Sequence, residues 1–141
     1  KRSCSKLWPK NRLVGISQAT EWCYTGRVFP ADEARAGGLV RSVHGADELL
    51  PAARAIAEEI AQNTAPVSVA LSRQMLWRML GANHPMEAHR VDSRGILARG
   101  ASDDAREGVM SFLEKRQPNY PVKVSDGLPE IFPGWADPSF D

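Results

Sequence analysis

The stretch VSVALSRQMLWRML, residues 67–80, makes the strongest demand on the fold. Its spacing predicts a helix on which Val67, Val69, Leu71, Met75, Leu76, Trp77, Met79 and Leu80 fall on most sides. One packed face would leave much of that surface in water, so such a helix has to be covered on more than one side. At 141 residues the chain is long enough to build a core of its own.

The neighbouring segments read mostly as helix. Residues 47–62 place Leu49, Leu50, Ala53, Ile56, Ala57, Ile60 and Ala61 on one face, with Glu48, Arg54, Glu58, Glu59 and Gln62 off it. A break at Asn63 to Pro66 separates this helix from the apolar one. Earlier, Leu13, Ile16, Thr20 and Cys23 recur at three and four from Arg12 onward, and Gly26 stands where a left-handed residue would end a helix. FPADEARAGG predicts a short helix, with Pro30 at its first position and Gly37 closing it. LVRSV, residues 39–43, is β-branched and reads as one short strand. Beyond the turn GANHP, residues 86–99 carry a small-residue stripe of Ala88, Val91, Gly95 and Ala98, suited to close helix packing. SDDAREGVMSFLEKRQPNY, residues 102–120, predicts a helix capped by Ser102, with Asp103 and Asp104 on the positive end of its dipole and Lys115 and Arg116 at its basic end. The domain reading is a polar arm at 1–11, a helical region at 12–120 and an extended tail at 121–141, rich in proline and aromatic residues and suited to lie on a surface.

Composition narrows the function. Eighteen basic and seventeen acidic residues are spread along the chain without a basic block, which argues against nucleic acid as a partner. No apolar run reaches the roughly 20 residues of a membrane span, and the start lacks the apolar segment of a signal peptide. Cys4 and Cys23 form no CxxC pair and His44, His84 and His89 have no paired helical spacing, so no metal is expected. These features fit a reducing cytoplasm. No GxSxG elbow surrounds Ser17, Ser68, Ser72 or Ser111, and no glycine loop for phosphate is present. The Asp103 and Asp104 pair is accounted for by the helix start rather than by acid and base work.

Three ordered stretches point further. Arg12 to Gly15, Ala19, Glu21, Thr25 to Arg27, Ala31, Glu33, Ala34 and Gly38 to Val40 precede the amphipathic helix and its break, and Asp104, Glu107, Gly108, Phe112 and Glu114 to Arg116 follow. In this order they resemble the C-terminal half of the enoyl-CoA hydratase/isomerase (crotonase) superfamily. The resemblance implies a mainly α fold class. It would be the C-terminal helical, trimer-forming part of a crotonase-like α/β fold, with one short strand and the β-β-α spiral core largely absent. It implies an acyl-CoA thioester as substrate, no separate cofactor, and a homo-oligomer, either a trimer or a dimer of trimers. The oxyanion donors and acid and base carboxylates of such proteins lie mostly in the N-terminal half, so no catalytic residue is assigned here. Phe112 and Lys115 match positions near the bound CoA, often that of an adjacent subunit, with Lys115 near its phosphates and Arg116 as a neighbour. Gly108 would then allow close approach to another helix. A non-catalytic oligomerisation module, or an adaptor using the aromatic tail, are the other readings of the same residues.

Overall fold

Gly15, at φ 79°, ends a short helical stretch and starts helix α1, Ile16–Thr25. The computed structural model describes residues 12–136 and 139; the arm expected at 1–11, with Cys4, lies outside the described residues. Helix α2 spans Ala31–Ala36, α3 Ala46–Asn63, α4 Pro66–Arg78, α5 Pro85–Gly100, α6 Asp103–Glu114 and α7 Val124–Gly127, with a 3-10 turn over Met79–Gly81. The chain divides into two compact units, residues 1–55 and 56–141.

In the first unit Gly26 closes α1 in the left-handed region, as its position predicts. The buried face of α1 is carried by Ala19 and Trp22, whereas Leu13 and Ile16, expected to pack, are exposed. Trp22 stacks on Phe29 with centroids 4.3 Å apart, and its Nε1 donates to Glu33 Oε1 at 2.9 Å. A Cβ on Gly37 would sit 2.6 Å from Trp22 Cη2, so this position admits no side chain without moving the indole. Arg27 joins Glu21, 3.0 Å from its Nη2, and Glu33, 2.8 Å from its Nη1. The Arg27 guanidinium first, and the Trp22 N–H second, hold the Glu33 carboxyl down at about 2. The resemblance motifs containing Glu21, Arg27 and Glu33 thus form one bracing network.

The strand expected at 39–43 does not form. Gly38, at φ 76°, turns the chain at the end of α2, and the N–H groups of Leu39 and Val40 return to the Ala34 carbonyl at 2.8 and 3.4 Å. Two of the donors a ladder would need are therefore used to end a helix. Among the described residues the regular structure is helical throughout.

In the second unit Val67 and Leu71 of α4, Val91 of α5, and Ile131 and Phe132 of the tail form the core, with Met75, Met79 and Val122 against it. The small-residue stripe of α5 serves the tail: Gly95 is buried, and a Cβ there would meet Ile131 Cδ1 at 3.7 Å. Arg78 of α4 lies over the Phe132 and Trp135 rings, 4.5 and 4.9 Å from their centroids. The tail is therefore part of this unit's interior, and Pro66 and Pro85 open the two helices it covers. The demand made by residues 67–80 is met on one side only, since Leu76 is 73% and Trp77 55% exposed. No residue of α3 is buried.

Candidate functional site

Helix α6 and the turn after it carry the two residues expected to meet CoA. The helix begins as predicted: Ser102 Oγ accepts the Ala105 N–H at 3.3 Å and donates to the Arg99 carbonyl at 2.6 Å. Asp103 is exposed, but Asp104 is buried. Its Oδ2 pairs with the Arg99 guanidinium, and its Oδ1 accepts the Val122 N–H at 3.1 Å. Arg99 Nε in turn donates to Ser68 Oγ at 3.4 Å. Asp104 is thus the joint between α6, the end of α5 and the tail, a role that the dipole explanation does not contain.

Asp104, Gly108 and Ser111 recur at one face of α6, which receives the returning chain. A Cβ on Gly108 would meet Tyr120 Oη at 3.7 Å, an ordinary contact, so the expectation of close approach to another helix is replaced by an aromatic ring from the same unit. The i, i+4, i+7 recurrence of a carboxylate and two small residues was the available signal for this face.

The helix ends on Lys115, at φ 53° and ψ 42°. The Arg116 N–H donates to the Ser111 carbonyl at 3.0 Å and the Lys115 N–H to that of Phe112 at 3.3 Å, the pattern in which glycine is the usual left-handed residue. A side chain in that conformation costs about 1–2 kcal/mol. Next to it, Arg116 is fully engaged. Its Nη1 and Nη2 bind Glu107 Oε1 and Oε2 at 2.5 and 2.9 Å, and its Nε binds Glu114 Oε2 at 2.6 Å. Glu107 Oε1 also accepts the Asn119 N–H at 2.7 Å. Arg116 above all, and then the Asn119 N–H, bring the Glu107 carboxyl down to about 2. Carboxyls so strongly held ionised are poor proton donors at neutral pH, and Glu33 and Glu107 both serve as ion-pair partners.

The structure places Phe112 and Lys115 one turn apart on α6. Phe112 is 81% exposed, and Lys115 is exposed and has no ion pair among the described residues. Arg116, read from sequence as a neighbouring phosphate contact, has its guanidinium committed to carboxylates. Two open grooves lie close by. One of about 390 Å³ runs between Ala61 to Pro66 and Gln117 to Tyr120; the other, about 450 Å³, is lined by Gly100 to Ser102, Ala105, Arg106, Val109 and Met110. Neither is lined by Phe112 or Lys115.

No cluster of three metal-ligating side chains occurs among the described residues. His84 caps α5, its Nδ1 accepting the Met86 N–H at 3.0 Å, and His44 lies 2.8 Å from Ser42 Oγ. Among the described residues no helix is long and apolar enough to cross a membrane.

The sequence matches the family model described as Enoyl-CoA hydratase/isomerase over residues 3–123. It is 38% identical over 110 residues to the enoyl-CoA hydratase ACTT3 of Alternaria alternata, a match covering 77% of this chain and 36% of that protein. It is 34% identical over 107 residues to the short-chain-enoyl-CoA hydratase of Clostridium acetobutylicum, covering 76% of this chain and 40% of the relative. The crystal structure of the enoyl-CoA hydratase from Bacillus anthracis is similar with a TM-score of 0.76 at 32% identity, over 81% of this chain and 43% of that one. The chain thus spans well under half the length of these relatives.

The match also corrects the expected fold class, a C-terminal helical part with the spiral core largely absent. The family match starts at residue 3 and continues to 123 as one domain, so the likeness is not confined to a C-terminal remnant. The matched span and the shared helical fold together make this chain a member of the enoyl-CoA hydratase/isomerase family.

Proposed function

We propose that the protein acts on acyl-CoA thioesters, adding water across the double bond of an enoyl thioester or shifting that bond, and that Phe112 and Lys115 form an edge of the CoA site. The observation that carries the site assignment is the contrast at the end of α6. The Arg116 guanidinium is held by two glutamates, while the adjacent Lys115 keeps a costly left-handed backbone and no ion pair among the described residues. An ammonium at that place suits a phosphate as a point charge, and the exposed Phe112 ring one turn earlier suits the flat or apolar parts of the same ligand.

In either reaction negative charge grows on the thioester oxygen, and preorganised N–H donors at that oxygen lower the barrier. Phe112 and Lys115 would act on the far end of the substrate, where binding is equal in ground and transition states. Their loss therefore belongs in KM and not in kcat. Measured with crotonyl-CoA, K115A and F112A should each raise KM by roughly fivefold at unchanged kcat, the scale of one exposed contact. Absence of turnover by the protein counts against the activity, and an unchanged KM in both variants counts against the site.

Assembly as a homo-oligomer, a trimer or a dimer of trimers, is part of the same reading. Apolar side chains left in water on α3, on α4 at Leu76 and Trp77, and on α6 at Val109, Phe112 and Leu113 support it. Phe112 would then serve a CoA molecule held by a neighbouring subunit. Light scattering that finds a stable monomer at micromolar concentration would remove this element.

A further inference from the structure

Lys115 is the one non-glycine residue with positive φ among the described residues, and nothing in its own side chain holds it there. Beyond the backbone bonds that close the helix, a side-chain restraint comes from Glu107, on the second turn of the same helix. Its two oxygens take Arg116 Nη1 and Nη2 at 2.5 and 2.9 Å, and Oε1 also takes the Asn119 N–H at 2.7 Å. Both partners follow Lys115 in the chain, so one half-buried carboxylate ties the segment after the helix back onto the helix. Glu114 occupies the remaining Nε of Arg116 at 2.6 Å. A fork and carboxylate paired in this bidentate way fix direction as well as charge.

We propose that Glu107 is a positioning residue for CoA recognition. By holding Arg116 and the Asn119 N–H it fixes Lys115 in the left-handed turn and keeps the Arg116 guanidinium occupied. The Lys115 ammonium is then the cation offered to the CoA phosphates. This rests on the reading of Lys115 as a CoA contact. Strain retained at a ligand-binding position persists when its surroundings over-determine it, and Glu107 supplies that surrounding here.

The test is the ratio of dissociation constants for pantetheine, which lacks the nucleotide phosphates, and CoA. In the unaltered protein CoA binds more tightly, and K115A reduces that preference by roughly fivefold. The double variant E107Q/R116Q keeps the net charge while removing the ion pair, with the Glu107 side chain unchanged in length. It should reduce the preference to the level of K115A with pantetheine affinity unchanged, and adding K115A to it should cost nothing further. A general loss of folding would lower both affinities together and so differs from this outcome. If the double variant does not fold, E107D is used, which keeps the charge and shortens the reach; a smaller fall in the same ratio is expected. A full preference in E107Q/R116Q or in E107D, with K115A still reducing it, overturns the inference alone. An unaltered preference in K115A overturns the reading of Lys115 and the inference with it.

Discussion

The two units contain the same device in different service. In each, an arginine fork is shared by two glutamates: Arg27 by Glu21 and Glu33, and Arg116 by Glu107 and Glu114. In each, a residue of positive φ closes a nearby helix, Gly38 at 76° after α2 and Lys115 at 53° after α6. The second partner of the central glutamate differs. Glu33 takes the N–H of the buried Trp22 side chain, so the first brace is anchored in the packed interior of its unit. Glu107 takes the Asn119 backbone, so the second brace holds a turn of the main chain. A glycine closes the first end without strain, whereas the second retains a side chain at a conformational cost. The pairing of charges alone does not separate the two; the residue at the left-handed position does.

The deepest break in the second region is D104A. It would leave the half-buried Arg99 without its carboxylate and the Val122 N–H without an acceptor, and removing one partner of a pair this shielded costs up to about 3–5 kcal/mol. Urea unfolding should show that loss, and it should exceed any seen for substitutions in the exposed braces. The first region breaks at Gly37. G37A pushes a Cβ into the Trp22 ring and displaces its stacking on Phe29, with an expected cost of about 1–3 kcal/mol in the same measurement.

K115G sharpens the contrast from the other side. Placing at the second helix end the residue type that closes the first should stabilise the fold by about 1 kcal/mol while weakening CoA binding. A loss of stability in K115G would mean that the left-handed backbone carries no cost there.

The smallest effect is acid sensitivity, and it should be common to both braces. Glu33 and Glu107 have carboxyls lowered to about 2 from 4.5, so their pairing stabilises the folded state fully above about pH 4.5. That contribution is lost progressively as pH falls from there toward 2, and E107Q should flatten its part of the acid slope in melting temperature against pH. An unchanged slope would indicate that the pair is screened by solvent.

Much of the helical layout was legible. The predicted helix at 47–62 is observed at Ala46–Asn63, that at 86–99 at Pro85–Gly100, and the Ser102 cap is where the sequence places it. Periodicity and capping act over a few residues, which is why they can be read locally. The rest depended on contacts across longer separations. LVRSV has strand-forming side chains, but the N–H groups of Leu39 and Val40 are taken by the end of α2, which composition does not reveal. The tail has no period, and its burial against α4 and α5 through Ile131 and Phe132 follows only from their side chains meeting in space.

The candidate site residues could be named from the resemblance, but their surroundings could not be read. The resemblance singled out Phe112 and Lys115, and the structure finds both exposed. Arg116 could be read only as a neighbour of Lys115, because its partner Glu107 is nine residues away and comes within reach only through the left-handed turn. Asp104 looked like its neighbour Asp103, although the two point to different faces of one helix turn and only the first is buried.

The most direct test of the central claim is calorimetric titration of the protein and of K115A with CoA at two ionic strengths. Lys115 as a phosphate contact predicts weaker binding in K115A and a smaller loss of affinity on adding salt than in the unaltered protein, because one screened charge pair has gone. Equal affinity and equal salt dependence in the two proteins would contradict it.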